Sequence, residues 1–208
     1  MGKISPKSFY ENLVPYLGEK AALFIDNQTK DLKFHLKITR PRDSKFGDYF
    51  PAVDNNRQRI TINGNLDKYS FLITLLHELA HLYVQENVKR HHKPHGEEWK
   101  TTFSQILSLA VKNELFPASV SNLISKLYIR DNKFTHTSRV KILNVIYKEL
   151  NLEIPLRLEN LPLNSMALLP NGMKIIKLNQ QRTRCLCRNL NDNKLYYVNK
   201  HIEIIPKI

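Results

Sequence analysis

The chain has 208 residues, 42% apolar and 25% charged, an ordinary balance for a soluble globular protein and enough for one domain with a sizeable core plus a small module. No apolar run approaches the roughly 20 residues of a membrane helix, the N-terminus lacks a signal-peptide core, and two cysteines cannot build a disulfide framework, so a cytoplasmic protein is expected. Lysine and arginine outnumber acids 32 to 19, a balance of +13 that makes nucleic acid a reasonable partner.

The first element is a helix opened by Ser5-Pro6 or by the capping box Ser8-x-x-Glu11, and Pro15 and Gly18 are expected to break or end it. A second helix runs roughly over 19–26. Leu32, Phe34, Leu36 and Ile38 alternate with Lys33, His35 and Lys37, which predicts a half-buried strand with His35 on its outer side. A basic loop, Arg40 to Tyr49, leads to a second strand near 49–53, and a third strand covers Arg59 to Asn63. A sheet edge can hold a peptide extended by backbone hydrogen bonds. The 45–53 segment, with Gly47 and Tyr49, is the candidate for that role.

The next stretch carries the chemistry. Phe71, Leu72, Leu75, Leu76, Leu79, Leu82 and Tyr83 recur at helical spacing, with Asp67 or Ser70 as cap and no glycine or proline between 65 and 93. Histidines and a glutamate inside so apolar a helix are costly unless something engages them. His77 and His81 stand one turn apart on one face, a spacing that suits two nitrogens on one zinc ion. Glu78, beside the first ligand, is placed to reach a water on the metal rather than the metal. This is the His-Glu-x-x-His arrangement of zinc peptidases: zinc acidifies the water, the glutamate takes its proton, and hydroxide attacks a polarised carbonyl.

A third ligand must come from later in the chain. Leu82 to Asn87 do not continue the metzincin pattern. His95 is the first choice, because Pro94 and Gly96 shape a turn around it and Glu97-Glu98-Trp99 opens another helix. Glu97 or Glu98 is the alternative, and His91 and His92 read as solvated loop.

His77-Glu78-x-x-His81, followed after thirteen residues by His95-Gly96-x-x-Trp99, resembles the SprT-like metallopeptidases, whose eukaryotic branch is Spartan. The resemblance extends upstream to Arg59–Asn63 and Phe71–Thr74, and covers residues 30–117 well. It implies an α+β, zincin-like fold, zinc on His77, His81 and His95, Glu78 as general base, and protein substrates associated with DNA. In length and ending the chain is closer to the bacterial-type members.

Trp99, Phe103, Ile106, Leu107, Ala110 and Val111 form the stripe of a helix over 98–115, with Trp99 expected in the core beneath the metal site. Shorter helices follow at 118–128 and 138–150. The metallopeptidase domain is thus assigned to 1–150, a linker with Pro155 and Pro162 to 151–164, and a small basic all-β module to 165–208. Many family members carry a four-cysteine zinc ribbon here; Cys185 and Cys187 are too few for one, so a metal-free sheet is expected. Arg182, Arg184 and Arg188 alternate with Thr183, Cys185 and Cys187. Together with Lys174 and Lys177 they are the candidate phosphate-contacting face. The rival to a peptidase is a nucleic-acid-binding protein whose zinc is structural. A zinc hydrolase acting on another bond is a third reading.

Overall fold

The structure is a computed structural model and describes residues 8–42, 45–52, 57–88 and 93–206. It is a mixed α+β architecture with six α-helices and two sheets among those residues. The chain divides into two compact units, Met1–Phe134 and Thr135–Ile208. No helix among the described residues is long and apolar enough to cross a membrane.

In the first unit, Ser8 caps helix α1 (Phe9–Leu17) through a reciprocal box: its hydroxyl accepts from the Glu11 N–H at 3.1 Å and the Glu11 carboxylate accepts from the Ser8 N–H at 2.7 Å. Ser5 and Pro6 lie outside the described residues. Pro15 does not break the helix as expected; α1 runs on through it and ends at Gly18, whose φ of 74° suits glycine. Helix α2 (Glu19–Thr29) follows directly.

Strands β1 (Phe34–Thr39), β2 (Gly47–Phe50) and β3 (Gln58–Asn63) form a sheet in the order β1-β3-β2. β3 is central, parallel to β1 and antiparallel to β2, so β2 is an edge. The second strand therefore begins at Gly47, two residues before the expected start. Ile60 and Ile62 of β3 point inward and are fully buried, whereas Arg59 is exposed. His35 is exposed, as its place in the alternation requires.

Helix α3 (Lys68–Asn87) lies against the inner face. Asp67 caps it, accepting from the N–H groups of Tyr69 and Ser70 at 3.0 and 2.9 Å. Phe71, Leu75, Leu76, Ala80 and Leu82 are fully buried, so its long apolar run is core. At roughly 1.5–3 kcal/mol per large side chain, this helix anchors the unit. Helices α4 (Glu97–Lys112) and α5 (Ala118–Ile124) complete it, α5 continuing into a π-helical turn over Ser125–Arg130.

The second unit combines a helix with the sheet module. It opens with helix α6 (His136–Glu149), placed in the first domain by the sequence reading, because contacts such as Thr137 Oγ1 to His201 Nε2 at 3.1 Å bind that helix to the sheet module. Strands β4 (Met166–Leu168), β5 (Lys174–Gln180), β6 (Arg184–Asn189), β7 (Leu195–Asn199) and β8 (Ile205–Pro206) form an antiparallel sheet in the order β7-β6-β5-β4-β8. Its core includes Ala167, Leu169, Ile175, Cys185, Cys187 and Ile204. Leu158 and Leu161 join them, so part of the expected linker is packed structure. Burial pushes both thiols above their ordinary value, Cys187 to about 11, so they are small core residues.

Candidate metal centre

His77 and His81 leave the same face of α3, and His95 arrives from the turn that precedes α4. That turn is fixed by Gly96: its N–H donates to the Lys93 carbonyl at 2.9 Å, and its own carbonyl accepts from Lys100 N–H at 3.0 Å as the first bond of α4. A Cβ at Gly96 would sit 3.2 Å from the Lys93 carbonyl oxygen, so a larger residue would loosen the bend that aims His95.

One ligand atom of each of the three imidazoles lies within 4.8 Å of the others, and they are the group among the described residues that can hold a metal ion. The His77 and His95 Nε2 atoms are 3.2 Å apart. Two nitrogens each about 2.0–2.1 Å from a tetrahedral ion stand about 3.3 Å apart, so the spacing fits a shared zinc. Desolvation holds the His95 imidazole below its ordinary pKa, which favours the neutral form a metal needs. Glu97 and Glu98, the alternative third ligands, are not in the group. His91 and His92 lie outside the described residues.

The floor under the rings is aromatic. Trp99 is 2% exposed, with its centroid 4.6 Å from both His77 and His95 and 4.9 Å from Phe103. It is thus a core residue that fixes ring orientation from below. Glu78 is 7% exposed and turns toward β2. There the edge strand comes so close that a Cβ on Gly47 would lie 2.9 Å from Glu78 Oε1 and 2.7 Å from Thr74 Cγ2. A glycine at this position is therefore a steric requirement of the carboxylate's seat. Tyr49 stacks on His81 at 6.1 Å with 8° between the rings. Its hydroxyl donates to the Gln58 side-chain oxygen, and the Gln58 amide donates to Glu86 on α3. Burial first, then the Glu86 charge, push the Tyr49 pKa to about 12. A cleft of about 350 Å³ opens over these groups, lined by Asp48, Tyr49, Glu78, His81, Gln85 and His95 among others.

Residues 21–121, from α2 into α5, match the SprT-like family. The chain carries a SprT-like domain over those 101 of its 208 residues. No curated protein and no solved structure matches it. The family match points to a metallopeptidase-like domain, and the histidine cluster of this SprT-like chain lies inside the matched segment.

The basic face proposed for the second unit needs one correction. Lys177 is 2% exposed and its ammonium donates to the Leu158, Glu159 and Leu161 carbonyls at 2.9, 3.2 and 2.7 Å and to the Gln180 side-chain oxygen at 2.7 Å. It ties down the turn at 158–161 and meets no phosphate. Lys174, Arg184 and Arg188 are exposed on the opposite side of the sheet, and Arg182 is exposed just before β6. The sequence reading passed over Gln58 and Glu86. A buried glutamine in an otherwise apolar inner row is the signal that was there to find.

Proposed function

We propose that this SprT-like chain is a zinc-dependent endopeptidase of the cytoplasm acting on proteins associated with DNA. The reading is carried by one observation: three imidazoles converge with a zinc-compatible Nε2 spacing of 3.2 Å beside a nearly buried glutamate, at the floor of an open cleft. His77, His81 and His95 hold the ion. When bound, zinc polarises a peptide carbonyl and acidifies its water. Glu78 accepts the proton of the attacking water and passes it to the leaving amine; the apolar packing around its helix and the backbone of Gly47 hold its carboxylate in place. β2, whose outer edge has no strand partner among the described residues, lies alongside to receive an extended peptide by backbone hydrogen bonds. Lys174, Arg182, Arg184 and Arg188 of the second unit supply contacts to DNA phosphates.

Three protein donors among the described residues leave a coordination position for water, which favours a peptidase over the structural-zinc alternative. The test is metal analysis with a cleavage assay on DNA-binding proteins, with and without DNA. Glu78→Gln should keep one equivalent of zinc and lose about 10²–10⁴ in kcat. Full activity in that variant removes Glu78 from the mechanism, and a wild-type chain that binds zinc but cleaves nothing favours the structural alternative.

A further inference from the structure

The positive charge is not confined to the second unit. Residues 32–63 contain seven bases and three acids, a balance of +4 that equals the whole net charge of residues 1–116, where there are 17 bases and 13 acids. The sheet sorts these residues by face. Phe34, Leu36 and Ile38 lean inward while His35 and Lys37 are exposed on the other side of β1, and Arg59 is the exposed residue of β3. Register sets His35 against Arg59 and Arg59 against Phe50. One cross-strand row on the face away from α3 thus reads imidazole, guanidinium, phenyl. The Arg59 guanidinium lies 4.5 Å from the Phe50 ring centroid, and Phe50 is itself 37% exposed.

Two of the neighbouring cations are already engaged. Arg42 donates to the Asn63 and Thr61 side chains at 2.8 and 3.1 Å, closing one end of the face. Lys45 pairs with Asp48, which neutralises the one described acid of the sheet. Lys37 and Arg59 are exposed and make no ion pair among the described residues.

We propose that this reverse face binds single-stranded nucleic acid. Lys37 and Arg59 meet phosphates, and Phe50 with the planar guanidinium above it offers an apolar surface to unpaired bases. Three strands at about 4.8 Å spacing make a strip about 10 Å across, suited to one strand rather than a duplex. A duplex also keeps its base faces hidden. β2 contributes Phe50 to this strip and Gly47 and Tyr49 to the cleft, so bound nucleic acid and the candidate peptide edge share one strand. Binding itself does not depend on the metal; only its link to cleavage rests on the function proposed above.

The test is anisotropy of a labelled oligothymidylate of about 20 nucleotides titrated with the full zinc-loaded chain at several salt concentrations. Lys37→Gln with Arg59→Gln should weaken binding at least tenfold and reduce the salt slope by about 1.4, from about 0.7 per phosphate contact. Phe50→Ala should weaken binding about fivefold with the slope unchanged, the mark of lost stacking rather than lost charge. A double variant within twofold of wild type at unchanged slope overturns the proposal. Photo-cross-linking of the wild type needs no variant: adducts in peptides spanning 33–63 support the strip, and adducts confined to 165–206 refute it. A chain that binds here but does not cleave sinks only the peptidase; one that cleaves but does not bind here sinks only this face.

Discussion

Adding a single methyl at Gly47 is the sharpest probe of the candidate centre. Gly47 does not have a positive φ among the described residues, so Gly47→Ala brings no backbone strain of its own. Its effect is purely steric. The new Cβ would lie 2.7 Å from Thr74 Cγ2, 2.9 Å from Glu78 Oε1 and 3.1 Å from Glu78 Cγ, where carbon contacts prefer about 3.5–4.0 Å. Thr74 is β-branched and on the buried side of α3, so it yields little. The strand must retreat by about 1 Å, or the Glu78 carboxylate must swing away. Overpacking of this kind costs about 1–3 kcal/mol of stability, and a displacement near 1 Å in a catalytic constellation costs about 10²-fold in rate. The expected result is a folded, zinc-loaded protein with a melting temperature a few degrees lower and kcat down about 10²-fold. Thr74→Ser removes the nearer clash, so Gly47→Ala with Thr74→Ser should recover part of the lost rate. A Gly47→Ala variant with undiminished kcat and normal zinc content would show that the carboxylate does not depend on this seat.

His95→Ala should lower zinc affinity by orders of magnitude in a chelator competition while Trp99 still reports a folded core; unchanged affinity would exclude His95 as a ligand. Lys177→Met leaves three carbonyls without their donor and should cost about 2–4 kcal/mol in thermal unfolding, with oligonucleotide affinity unchanged. His136, stacked at 5.0 Å on His201, has its pKa lowered by desolvation first and then by the charges of His201, Arg139 and Arg157, against the opposing pull of Glu159. The unfolded chain therefore takes up a proton near the ordinary value of about 6.5 before the folded one does. Its contribution to stability is intact above that pH and declines as pH falls through it. The difference in melting temperature between wild type and His136→Gln, which cancels the metal site, should shift against the wild type between about pH 7.5 and 5.5. A difference constant with pH would refute this.

What could be read in advance followed from strictly periodic elements. The apolar repeat of 71–84 located the buried helix, and helix geometry alone puts His77 and His81, four residues apart, on one face. The turn around His95 was legible because proline and glycine flank it. Other features were set by partners remote in sequence. That β3 sits between β1 and β2, leaving β2 as the edge, is a matter of spatial order that no local pattern encodes. Helix α6 looks the same from its own residues whichever unit it joins; contacts such as Thr137 to His201 decide. Lys177 is a different case, because the signal was present. It stands three positions after Lys174, and in a strand an odd offset puts two side chains on opposite faces. The alternation Ile175-in, Lys177-in was visible, but a lysine facing a core is improbable until carbonyls to receive its protons are known.

The centre owes its order to more than its candidate ligands. β2 is an edge strand and on its own would be the least constrained part of the sheet. It is fastened to α3 at two points. At one end the bare backbone of Gly47 rests on Thr74 and Glu78; at the other Tyr49 lies on His81 and is tied through Gln58 to Glu86. With its pKa at about 12, the Tyr49 hydroxyl remains a donor throughout the range in which imidazoles are neutral enough to bind metal, so this tie does not loosen as the site becomes competent. Helix and edge strand must then move together, and the general-base candidate, one candidate ligand imidazole and the candidate peptide-docking edge keep a common frame. A change in the Tyr49–Gln58–Glu86 chain should consequently be felt as poorer alignment of substrate with Glu78 rather than as loss of metal. That distinguishes a brace from a ligand.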